Sequence, residues 1–297
     1  MTATKTELPA PPPMYSLAAL VDAATADAQA RYDAKKAGKL LGAVTPISKL
    51  TDALGSYLAP GIHILHGSPG SGKTAFALQT ACECGCPAMF ITCEMAPLEL
   101  LRRITARVTD TFLGKFKTGE LPPEKARELY QAAATASPSL DILDATTLPL
   151  TPADLAERAQ TIRATHRDAD HDHFMIVIDS VHSWAKGWQV ETDERETLNY
   201  ALAEIRKIAS KVEAPILCIA ERNRASKDTG GQAASAGTRM FEYVSESVIE
   251  LHRPANSKAD NYGDIAVHAE VSKNRHGAIT GKIDMLFNGR TQTFREA

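Results

Sequence analysis

Apolar and polar positions fall into blocks of strand and helix length along most of the chain. From residue 62 the pattern predicts strands over 62–65 (IHIL), 88–93 (AMFITC), 140–143 (LDIL), 174–179 (FMIVID) and 215–220 (PILCIA). FMIVID shows no alternation, so it should be covered on both faces. Helices fill the gaps. Pro97 opens one with Leu98, Leu101, Ile104, Val108 and Phe112 on its apolar face. Another covers about 123–135. Thr151 and Asp154 form a capping-box-like start to a helix ending near His166. Residues 194–212 place Leu198, Leu202, Ile205, Ala209 and Val212 on one stripe. After residue 240, SVIELH, IAVHAEV and KIDMLF alternate in part, and Asn288-Gly289 signals a hairpin turn. The order predicts an α/β domain over 42–297: a mainly parallel sheet flanked by helices, with antiparallel C-terminal strands.

The chain ahead of that domain reads differently. Residues 1–14 are proline-rich and predict a disordered tail. Residues 15–41 predict a linker helix, capped by Ser16 and running to about Lys39. Leu17, Leu20, Val21, Ala24, Ala28 and Tyr32 share one stripe of it. Such a stripe needs a surface, either the chain's own core or a neighbouring subunit.

Composition narrows the class. The 297 residues are 44% hydrophobic, enough for one large α/β domain with a small appendage. A net charge of −3 provides no global basic field, so any nucleic-acid contact has to be local. No apolar run approaches the roughly 18 residues of a membrane span, and the N-terminus lacks a signal-like apolar stretch. These features predict a cytoplasmic protein with no membrane partner. Cys82, Cys84 and Cys86 form C-x-C-x-C, which departs from the paired C-x₂-C of zinc sites and reads as reduced thiols closing a helix. Cys93 and Cys218 read as core.

The chemistry concentrates at three places. Gly67-Ser68-Pro69-Gly70-Ser71-Gly72-Lys73-Thr74 fits G-x-x-x-x-G-K-[ST], set between an apolar strand and an apolar helix. In such a loop the backbone N–H groups converge on phosphate, aided by the positive end of the following helix. Lys73 would meet the β- and γ-phosphates of ATP, and Thr74 would hold Mg²⁺. Asp179 ends an apolar strand and is expected near the same ion. Ser180 follows it, so no second acid is available there. Glu94, at the end of a neighbouring strand, is the candidate to activate water. Two weaker signals read as loops: His166, His171 and His173 near aspartates, and SKAD at 257–260.

The segment FITCEMAPLELLRRI resembles the second conserved block of bacterial replicative helicases of the DnaB family. The similarity is collinear over about residues 42–297. FMIVIDSVHSW resembles that family's metal-binding strand, and EVSKNRHGAITGKIDMLF its late block. The resemblance implies a RecA-like P-loop NTPase and a hexameric ring. It also implies that Lys273 and Arg275 cross a subunit interface to the neighbour's γ-phosphate. Departures are visible: Glu221 stands where the family usually has glutamine, and only about 40 residues precede the domain. In that respect the chain is similar to the small single-domain helicases of plasmids and phages. The loop after 215–220 offers Arg222, Arg224, Lys227 and Arg239 for single-stranded DNA, and the loop after Asp179 offers Lys186 with Trp184 and Trp188. The expected function is an ATP-hydrolysing helicase or translocase motor. The alternative is a RecA-like regulatory or assembly ATPase acting on a protein partner. Partners from replication or mobile elements are not identifiable from these residues.

Overall fold

The computed structural model describes residues 13–167, 173–188, 193–221, 240–254, 257–277 and 281–297. The chain divides into two compact units, Met1–Leu41 and Gly42–Ala297. In the first, α1 (Leu17–Lys36) begins at Ser16, whose hydroxyl accepts the Ala19 amide. It ends before Lys39 because Gly38 turns left-handed (φ 69°) and the Lys39 amide folds back to the Ala34 carbonyl. None of its residues is buried.

The second unit is one nine-stranded sheet with helices. Its elements run α2 (Ser48–Ala53), β1 (Gly61–Gly67), α3 (Lys73–Glu83), β2 (Ala88–Thr92), α4 (Pro97–Val108), α5 (Lys115–Thr118), α6 (Pro123–Ala136) and β3 (Leu140–Asp144). Then come α7 (Pro152–Arg167), β4 (Met175–Asp179), α8 (Val181–Lys186), α9 (Glu194–Val212), β5 (Pro215–Ile219), β6 (Ser247–His252), β7 (Asp264–Asn274), β8 (Ile283–Asn288) and β9 (Thr293–Glu296). The strand order is β3-β2-β4-β5-β1-β6-β7-β8-β9. The first six in that order pair in parallel and the last three add antiparallel, as the block pattern predicts.

Two apolar cores explain why the central strands lack alternation. Leu65, Phe90, Val177 and Leu217 point into the core shared with α2, α3 and α4. Their neighbours Ile64, Ile91, Ile178 and Cys218 point into the other, with α9. Along the middle of β7 burial alternates, with Val267, Ala269 and Val271 buried. The α9 stripe is buried along Leu198, Leu202, Ile205, Ala209 and Val212. At α7 the box closes: Thr151 Oγ1 accepts the Asp154 amide at 3.2 Å, and the Asp154 carboxylate accepts the Thr151 amide at 3.3 Å.

Three local expectations change. The buried face of α4 is Leu100, Ile104, Thr105 and Ala106, while Leu98 is exposed. The helix packs on α3 and α6, and that contact selects a face rotated from the predicted stripe. Phe112 lies beyond α4 and is also exposed, under the Arg290 guanidinium. The β8–β9 turn is longer than an Asn-Gly pair. Asn288 pairs with Thr293, its side chain accepts the Arg290 and Thr291 amides, and Gln292 takes the positive φ of 60°.

Candidate active site

The apolar run of β1 delivers Gly67 to the carboxyl edge of the sheet. There two of the loop's glycines have no room for a side chain. A Cβ on Gly67 would fall 2.4 Å from Ser71 Oγ and 2.9 Å from the Leu251 carbonyl. Gly72 caps α3 in a left-handed conformation (φ 92°), with the Phe294 ring 2.7 Å from where its Cβ would be. The first-turn amides of α3 have no intrahelical acceptor and face the loop. Ser71 Oγ is buried, with no hydrogen-bond partner among the described residues. A concave ring of free donors at a helix N-terminus fits a phosphate chain.

Lys73 is folded over this loop, donating to the carbonyls of Gly67 at 2.8 Å and Ser68 at 3.3 Å. Burial pulls its ammonium below the ordinary lysine range, and Glu221, Asp179 and Glu94 oppose that shift. Three carboxylates therefore act on the charge of one cation. Their positions follow from the register. Ile91 and Thr92 pair with Ile178 and Asp179, and the Cys93 amide donates to the Asp179 carbonyl, so Glu94 emerges beside Ser180. On the other side Leu65 pairs with Ile219, and the Ala220 amide reaches the Leu65 carbonyl. Glu221 thus stands between the loop and Asp179 along the edge.

Asp179 is only 6% exposed. Burial pushes its carboxyl up to about 6, against the pull of the Thr74 hydroxyl bonded to it. A hydroxyl and a carboxylate side by side form a hard-oxygen donor set that suits Mg²⁺. The Asp179–Ser180 peptide is cis. Glu94 is held in place by two hydroxyls: Ser180 Oγ and Ser183 Oγ each donate to its Oε1 at 2.6 Å. The residues alone do not reveal this serine pair, although the S-x-x-S spacing after a strand is an N-cap signal, and Ser180 does cap α8. His182, whose pKa burial lowers, packs its ring on Phe241.

Lys273 and Arg275 stand elsewhere. Lys273 pairs with Val248 on β6, and the Arg275 amide donates to the Glu246 carbonyl. Leu251, not these residues, is the β6 neighbour of Gly67. From Glu246 to Leu251 is about 16 Å of strand, so the two cations occupy the opposite edge of the sheet from Lys73. Arg222, Arg224, Lys227 and Arg239 lie outside the described residues, as does His171. Trp184 is 2% exposed in the core, and Trp188 packs edge-on against it at 4.5 Å. Neither indole is a free stacking platform, and Lys186 pairs with Glu194 at 3.1 Å. The thiols of Cys84 and Cys86 approach to 3.7 Å at the end of α3, where the pattern places them. Among the described residues no three metal-ligating side chains converge.

The chain is similar to known proteins. The family described as "DnaB-like helicase C terminal domain" matches residues 42–296. A probable plasmid replicative DNA helicase of Chlamydia psittaci is 23% identical over 245 residues, or 78% of this chain. The chain spans half the length of that helicase. Among solved structures, one described as an ATPase domain superposes with a TM-score of 0.76 at 16% identity, covering 94% of this chain and 98% of its own. A DnaB-like replicative helicase, described with its interactions with primase, gives 0.72 at 15% identity, covering 92% and 66%. At these identities the superpositions establish the RecA-like fold.

Proposed function

The chain belongs to the family of DnaB-like helicase C-terminal domains, and from that premise we propose that it is an ATP-hydrolysing ring motor acting on single-stranded DNA. Residues 67–74 grip the triphosphate, with Lys73 released from the Gly67 and Ser68 carbonyls to the β- and γ-phosphates. Thr74 and Asp179 would hold Mg²⁺, which supplies charge neutralisation across those phosphates. Glu94, fixed by Ser180 and Ser183, orients and deprotonates the attacking water. Lys273 and Arg275 stabilise the charge that builds up on the γ-phosphate of the adjacent subunit.

One observation carries the reading. The sheet register lines up the loop, Glu221, Asp179 and Glu94 on one edge and leaves Lys273 and Arg275 on the other. A single copy holds both halves of a catalytic site too far apart to use them together. Ring assembly of six copies brings the halves together, and Arg222, Arg224, Lys227 and Arg239, in the segment after Glu221, contact the DNA backbone. No described helix is long and apolar enough to cross a membrane, and a cytoplasmic site of action belongs to the same proposal. The test is ATPase rate with and without single-stranded DNA at low salt, with particle mass measured in the same samples. Stimulation by DNA in a hexamer-sized particle supports the motor. Activity indifferent to DNA, with no strand displacement, moves the chain to the class of assembly or regulatory ATPases.

A further inference from the structure

We infer that Glu246 is a positioning residue that sets Arg275 for use by the neighbouring subunit. The inference rests on the reading of Arg275 as a group acting across the interface. Glu246 precedes β6, and its amide donates to the Ile62 carbonyl at 2.7 Å, which ties it to the strand that carries the phosphate loop. Both carboxylate oxygens are used. Oε1 accepts from Arg275 Nη1 at 3.0 Å, and Oε2 meets His276 Nε2 at 2.9 Å. The Glu246 carbonyl accepts the Arg275 amide at 2.9 Å, and Arg275 Nη2 donates to the Tyr243 carbonyl at 3.1 Å. Lys273 is held by the same segment, donating to the carbonyls of Ser245 at 2.5 Å and Glu242.

These contacts differ from an ordinary surface ion pair. The Glu246 side chain is 16% exposed and the Arg275 side chain 40%. The acid lies against Gly61 (φ 138°), where a Cβ would fall 2.5 Å from Glu246 Cγ, so its seat is fixed by backbone on both sides. The guanidinium is held at one N–H of each terminal nitrogen, and among the described residues its remaining donors have no partner on a side chain that reaches solvent. A long flexible side chain is thereby ordered before a phosphate arrives, which is how a fork of donors acts without reorganising during the reaction. Nothing in the spacing of residues 246 and 275 signals this pairing; the β6–β7 register creates it.

The test uses the assembled full chain. Glu246→Gln keeps the volume and should lower kcat about tenfold, with KM and the affinity for a fluorescent ATP analogue within about twofold. Mixed assembly separates positioning from general damage. Lys73→Ala loses its own site but keeps its Arg275, whereas Arg275→Ala does the reverse. Rings assembled from both regain turnover if Arg275 acts across the interface. Glu246→Ala mixed with Lys73→Ala should regain turnover in the same way, because the lost function sits on the face presented to the neighbour. If the Arg275→Ala mixture recovers and the Glu246→Ala mixture does not, or if Glu246→Gln turns over at the wild-type rate, this inference is wrong. If the Arg275→Ala mixture also fails, the fault lies with the cross-subunit reading.

Discussion

The two edges of the sheet make opposite kinds of site. At the carboxyl edge, a contiguous loop of eight residues is met by acids at or just past the ends of neighbouring parallel strands. At the amino edge, Lys273 and Arg275 are placed by an antiparallel strand and held by residues 242–246, some thirty positions away. The first edge has a concave seat of its own, while the second presents cations outward. Substitutions should sort accordingly, with carboxyl-edge changes altering the chain's own nucleotide and amino-edge changes sparing its binding.

The largest effect is expected at Arg275. Arg275→Ala should cut kcat by about 10³ or more while leaving nucleotide affinity within a few-fold, read by steady-state kinetics and fluorescent-nucleotide titration. Weakened binding in that variant would break the contrast between the edges. Glu94→Gln should lower kcat by about 10²–10⁴ with binding retained, since the amide still accepts from Ser180 and Ser183 but cannot take a proton. Removing one of those hydroxyls sharpens the same point: Ser183→Ala should reduce kcat only about tenfold, because Ser180 still holds Glu94.

Asp179 gives a smaller effect with a defined sign. Its carboxyl lies at about 6 in the folded chain, above the ordinary aspartate range. Between those values the folded state keeps a proton that the unfolded state has lost, so stability falls as pH rises to about 6. Buried His63, lowered to about 4, works the other way in that window. It stays neutral, with Nε2 donating to the Ala59 carbonyl and Nδ1 accepting from Ser247 Oγ, each at 2.8 Å. Comparison with Asp179→Asn isolates the aspartate. In metal-free urea titrations the variant should gain up to about 3 kcal/mol over the parent at pH 7 and little at pH 4. An equal gain at both pH values would contradict the buried-acid account.

Much of the first edge could be read from residue order because its physics is local. An apolar strand, a glycine-rich loop and an apolar helix are adjacent in sequence, and Asp179 closes a run with no alternation. The parallel sheet, the α9 stripe and the Thr151 box followed from periodicity in the same way. The rest needed tertiary contacts. The face of α4 depended on α3 and α6, and Leu98 went to solvent. Trp184, expected on a loop offered to single-stranded DNA, lies in the core, and Trp188 packs against that core beside α9. Ser180 and Ser183 meet Glu94 only because β2 and β4 are neighbours in register. The role proposed for Lys273 and Arg275 rests on resemblance, since no spacing rule links a cation to another copy's phosphate.

The most direct measurement is specific ATPase activity over a dilution series, with mass photometry at each concentration. The account predicts that turnover per chain disappears as the assembly gives way to single copies, because Lys73 and Arg275 of one chain cannot serve the same nucleotide. Constant turnover per chain in samples that contain only single copies would contradict it.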